Sequence, residues 1–207
     1  MAGMTPFMIE AEVSCTDGFC GTLSRVVVDR RGRTVTHLVV NDRQLQGRLV
    51  PLDLVDVDAA TGKIRLRCPT AEFGKLDAAD MTVSPHDNDA DPENSYDQLQ
   101  LRSMGSMFLA DVRSVTYDIL PAGEVAVRGG KHVHATDGDI GQIQGLVIDS
   151  DSRQLTHVLL QEGHLFGHKV VAIPIGAVTA VNENGIQLNI TKQQVKDLPS
   201  GWHRSSG

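Results

Sequence analysis

At 207 residues the chain can form one large or two small domains, and its 41% apolar residues suffice for real cores; with aromatics at 4%, those cores must be built from Val, Leu and Ile. The 19 Lys and Arg against 26 Asp and Glu leave a net charge of -7, which argues against broad phosphate-backbone binding, so no direct nucleic-acid contact is expected. No stretch approaches the roughly 18 apolar residues that span a bilayer, and residues 1–10 lack the basic start and apolar run of a secretory signal, so a cytoplasmic location is expected.

In chain order, the first signal is the turn dipeptide Asp17-Gly18, followed by Gly21. Residues 25–29 and 34–40 are rich in β-branched and apolar residues and predict two strands around a polar turn at 30–33. An apolar-Pro-apolar step follows at Val50-Pro51-Leu52, then a Gly-led strand at 62–66 and a short helical signal at 69–76. Residues 77–123 hold 9 acidic and 2 basic residues, which sets them apart as a linker. Within it, residues 86–98 are acidic and poorly hydrophobic and predict a flexible stretch. Residues 99–120 are moderately apolar, with Met104, Met107, Phe108, Leu109, Val112 and Val115. They read either as an accessory element packed on a domain or as an adaptable methionine docking surface. Residues 124–199 then form a second domain matching residues 1–76, and 200–207 a flexible tail.

The match is an internal repeat. Residues 16–47 lie over residues 136–167 without a gap, and 11 of the 32 positions are identical, among them Asp17/Asp137, Gly18/Gly138, Gly21/Gly141, Arg33/Arg153, His37/His157 and Leu45/Leu165. Pro51 then aligns with Pro174, and the closing strands and helical signals recur at 185–188 and 191–198. Short strands at regular spacing between turns predict an all-β fold of two small closed barrels in tandem, with short helical turns capping each. Symmetry alone makes an intramolecular pseudo-dimer of the two copies an expectation, and leaves a homodimer open.

The turn Asp-Gly-x-x-Gly, the strand ending at Asp29 or Asp149, the run Thr36-His37-Leu38-Val39-Val40 with its second copy from Thr156, and the apolar-Pro-apolar step resemble the PRC-barrel family. So do residues 162–169 and 123–130 of the second copy. The resemblance covers about 135 of the 207 residues and implies a protein-docking module rather than an enzyme. The family includes the cytoplasmic domain of the photosynthetic reaction-centre H subunit and the C-terminal domain of the ribosome maturation factor RimM. This chain departs from both: it lacks a membrane helix, and it carries a PRC-like domain in each half.

Cys15, Cys20 and Cys68 align with Ala135, Ile140 and Ile190, so they read as buried structural residues. His37 and His157 read as strand- or barrel-packing residues with the ring bonded to backbone. His132 and His134 share one face of a strand and, with His164 and His168, are candidate metal ligands. Their counterparts Glu12, Ser14, Gln44 and Arg48 give that idea no support from the repeat. Acidic runs at 87–91 and 149–151 lack the spacing of a calcium loop. No catalytic constellation and no cofactor is expected. The leading reading is a non-enzymatic interaction module with protein partners, touching them through Leu45, Leu49, Leu165, Phe166 and the segment carrying Met104, Met107 and Phe108. A metal- or small-ligand-binding protein and a ribosome-maturation-type factor are the alternatives.

Overall fold

The computed structural model describes residues 3–29, 33–58, 61–83, 115–162, 170–182 and 185–198. The chain divides into two units, one made of Met1–Ala79 with Leu120–Gly207, the other of Asp80–Ile119. In chain order the first half of the larger unit runs β1 (Met4–Met8), β2 (Glu12–Cys15), β3 (Gly18–Asp29), β4 (Val35–Asn41), β5 (Gly47–Pro51), a 3-10 turn (Leu52–Leu54), β6 (Val55–Val57), β7 (Ile64–Leu66) and the single-turn helix α1 (Thr70–Phe73). The smaller unit holds β8 (Asp80–Val83) paired antiparallel with β9 (Val115–Asp118). The second half of the larger unit repeats the first: β10 (Glu124–Arg128), β11 (His132–Ala135), β12 (Gly138–Asp149), β13 (Leu155–Glu162), β14 (Val170–Pro174), a 3-10 turn (Ile175–Ala177), β15 (Val178–Asn182), β16 (Gly185–Leu188) and α2 (Lys192–Lys196).

The larger unit is mostly β, in two sheets with the same strand order. One runs β5-β4-β3-β2-β7-β6, the other β14-β13-β12-β11-β16-β15. Each path is open: among the described residues no pairing joins β5 to β6 or β14 to β15, in contrast to the closure expected from sequence. β3 and β12 are longer than the predicted strands because each starts at its Asp-Gly turn and runs 12 residues. The glycines inside that run are required by close approach. A Cβ on Gly21 would sit 2.1 Å from the carbonyl oxygen of Asn41, and one on Gly141 2.2 Å from that of Gln161.

Each sheet borrows its seventh strand from the other half. β1 pairs with β12, Met4 opposite Asp149 through Met8 opposite Gly145. β10 pairs with β3, Glu124 opposite Asp29 through Arg128 opposite Arg25. The two registers superpose on the 120-residue offset of the sequence repeat. The crossing takes place within one peptide unit. The Ile9 amide donates to the Gln144 carbonyl at 2.8 Å, and the next amide, Glu10, donates to Leu23 of the other sheet at 2.7 Å. Glu10 has φ 69, and its equivalent Gly130 has φ 72, so both halves turn away from their own sheet at the same position.

Val, Leu and Ile build the core, as the low aromatic content requires. Phe7, Leu23, Leu38, Ile64, Leu146, Leu160, Ile173 and Ile186 belong to a single buried cluster that spans both sheets. On the opposite face of the first sheet, Val27 and Val39 pack with Ala79, Leu49 and Leu120. That second cluster explains why Val26, Val27 and Val28 are all buried where alternation would expose one of them.

Candidate functional site

The repeat positions turn out to hold the halves together internally. Asp17 reaches across the fold to α1, where its carboxylate accepts from the Thr70 amide at 2.9 Å and the Thr70 hydroxyl at 2.8 Å. Asp137 accepts likewise from the Lys192 amide at 2.8 Å. α1 has no side-chain cap of its own, whereas α2 adds a capping box from Thr191 and Gln194. The two Thr70 bonds hold the Asp17 carboxyl below the usual carboxylate range.

His37 and His157 lie opposite Pro51 and Pro174 on the neighbouring strands, each with Nδ1 3.1 Å from the hydroxyl of the preceding threonine. One difference between their surroundings comes from the exchanged strand. Glu124 of β10 places Oε2 3.5 Å from His37 Nδ1, while the register equivalent of Glu124 in β1 is Met4. Burial pushes the His157 ring down from its ordinary value.

The three cysteines are buried and free, and Cys15 is close enough to both Cys20 and Cys68 for thiol hydrogen bonding. Burial foremost, and then the neighbouring Cys20, push the Cys15 thiol up to about 12. The Cys20 thiol also bonds the Val13 carbonyl. The set is therefore protonated and inert at neutral pH.

His132 and His134 do share a face, with ring centroids 6.2 Å apart. His132 is bonded through Nδ1 to Asp139. Burial raises the Asp139 carboxyl, but the Gly141 amide and the His132 ring outweigh it and the net direction is down. Among the described residues no group of three or more His, Cys, Asp or Glu is arranged to hold a metal ion. His164 and His168 lie outside the described residues, as do Leu165, Phe166, Met104, Met107, Phe108 and the acidic stretch 86–98.

Leu45 and Leu49 have opposite fates. Leu49 packs against the second core cluster. Leu45 is 78% exposed at the tip of the β4–β5 turn, with φ 62. Asp42 fixes that turn by accepting from the Gln44 and Gln46 amides at 2.8 and 3.0 Å. Arg43 of the same turn lies over the half-exposed ring of Phe19, 5.9 Å from its centroid.

Sequence reasoning missed the junction between the sheets. Thr34 and Gln154 form an isolated antiparallel bridge, closed by Val35 donating to Arg153 and Leu155 donating to Arg33, both at 2.9 Å. The flanking Arg33 and Arg153, at φ 53 and 58, each reach toward the 3-10 turn of the other half. Arg33 donates to the carbonyls of Ile175 at 2.8 Å and Val178 at 3.0 Å. Arg153 instead pairs with the Asp53 carboxylate. Beside it opens a cleft of about 390 Å³, lined by Thr5, Leu52, Asp53, Asp56, Arg67 and Arg153 among others. The identity of Arg33 and Arg153 in the repeat was the available signal.

No protein-family model matches the chain, and none of the curated proteins does. No helix among the described residues is long and apolar enough to cross a membrane.

Proposed function

We propose that the chain is a tandem PRC-barrel protein derived by internal duplication, and that it works as a non-enzymatic interaction or assembly module in the cytoplasm. The ordered motifs of the sequence support the family, and two sheets of one strand order, with registers repeating at one offset, support the duplication. The observation that carries the interaction reading is the β4–β5 turn. It holds Leu45 in the left-handed region, at a backbone cost of roughly 1–2 kcal/mol for a non-glycine residue, and presents the side chain almost wholly to solvent. Phe19, under Arg43, adds a second apolar surface to the turn. A partner that buries Leu45 and Phe19 while meeting the Arg43 guanidinium fits this surface.

The test is affinity capture of the tagged protein from its native host after mild cross-linking, run with wild type and Leu45→Asp. A stoichiometric partner present with wild type and lost from the variant, at unchanged Tm, is the expected result. Equal recovery from both proteins removes the turn from the docking surface, and recovery of no partner at all overturns the module reading.

A further inference from the structure

The two arginine junctions are equivalent in sequence and backbone but not in occupancy, and the difference defines a ligand site. At the first junction the Arg33 guanidinium fills the notch over the 3-10 turn by donating to the Ile175 and Val178 carbonyls. At the second, the corresponding residues are Leu52 and Val55, and both line the open cleft. Arg153 does not sit over them as Arg33 does, because Asp53 takes its guanidinium; the residue at the Asp53 position in the other half is Gly176, which offers no such acceptor. Two further exchanges add charge to the open notch. Asp56 replaces Thr179, and Arg67 replaces Asn189; Arg67 holds no ion pair among the described residues.

We propose that this cleft binds a guanidinium compound that also carries a carboxylate, the chemistry of arginine as a free amino acid or at a peptide C-terminus. The guanidinium occupies the position that Arg33 fills in the other half, over the Leu52 and Val55 carbonyls, with Asp56 supplying a carboxylate acceptor. The ligand carboxylate meets Arg67. Arginine–carboxylate pairing on both sides matches the planar, multi-donor geometry of guanidinium groups. A cleft of about 390 Å³ lies within the range of small-molecule sites. The site is independent of the Leu45 turn, so failure of either proposal leaves the other standing.

The experiment is calorimetric titration of the full chain with L-arginine, agmatine and Nα-acetyl-arginine, repeated on Asp53→Gly and Arg67→Ala. Saturable binding of arginine with a Kd below about 1 mM is expected, with agmatine at least about tenfold weaker because it lacks the carboxylate. Nα-Acetyl-arginine binding as well as arginine assigns the ligand to a peptide C-terminus; its failure to bind assigns it to the free amino acid. Asp53→Gly copies Gly176 and frees Arg153 to fold onto the Leu52 and Val55 carbonyls. It should abolish binding while leaving Tm within a few degrees of wild type. Arg67→Ala should erase the preference for arginine over agmatine. No saturation of wild type by about 10 mM arginine, ten times the expected limit, or unchanged binding by Asp53→Gly, overturns the proposal.

Discussion

Phe7 tests whether the exchanged strands are part of the folded unit or merely lie along it. It stands outside the repeat block, and its cross-strand neighbour, Leu146, belongs to the other half of the chain. It is nevertheless 1% exposed and belongs to the cluster that includes Leu23, Leu38 and Leu160. Truncating a ring in such a site costs about 3–5 kcal/mol, because the transfer energy of the lost atoms and the cavity they leave both count. A chain of this size shifts by about 2–4 °C per kcal/mol, so Phe7→Ala should lower Tm by roughly 6–20 °C. Val127 is the equivalent residue of β10 and is likewise buried. Val127→Ala loses two carbons, at about 0.8 kcal/mol each plus a smaller cavity term, and should cost about 2 kcal/mol. Urea unfolding followed by far-ultraviolet circular dichroism measures both. Since one core spans both sheets, each variant should move a single transition with its m value unchanged. A Phe7→Ala cost below about 1 kcal/mol, the level of an ordinary surface change, would refute the reasoning. So would two separate transitions of which only one moves.

Three further outcomes follow from local features. Glu10 is exposed and occupies the left-handed region where the other half uses Gly130, so Glu10→Gly should stabilise by about 1 kcal/mol and Gly130→Ala should destabilise by a similar amount; urea midpoints moving in the opposite directions would count against the hinge. The buried thiols, with Cys15 pushed up to about 12, should react with a disulfide reagent at pH 8 only as fast as the protein opens, and rapid native labelling of all three would contradict this. His157, Asp17 and Asp149 all have folded pKa values depressed below their ordinary ones, by burial for the histidine and by Thr70 and Ser152 hydrogen bonds for the carboxylates. The stability each contributes is present above its ordinary pKa and is lost as pH falls through the folded value. Tm should therefore decline in two stages on acidification, first below about 6.5 and again below about 3.8, and a flat profile between pH 7 and pH 3 would be the contrary result.

Strands can be read from sequence when the pattern that marks them is local, and several here are. The run Val35–Asn41 is rich in apolar and β-branched residues, as a strand should be, and the Asp17-Gly18 signal falls at the β2–β3 hairpin, where Gly18 opens β3 at φ 147. The cysteines were also legible, because apolar counterparts at Ala135, Ile140 and Ile190 already placed those positions inside. Pairing is different, since period-two alternation says which face of a strand is buried but not which strand lies beside it. β1 shows the difference. Carried straight on from β2, where Ala11 and Glu10 still bond Leu23, it would lie along Arg25–Asp29 of its own sheet. The left-handed turn at Glu10 redirects it to the equivalent stretch of β12, and Gly130 returns β10 to the vacated edge of β3. The edges of β3 and β12 offer the same backbone register at the 120-residue offset, so composition and periodicity do not tell the straight path from the exchanged one. Gly130 marks a conformational preference, but its partner Glu10 does not. The arginine junction was hidden for a related reason. Arg33 and Arg153 are identical in the repeat, yet they do different work because Asp53 stands where Gly176 does in the other half. That change lies beyond the gapless repeat block, and it becomes meaningful only once the fold has brought each arginine to the opposite half.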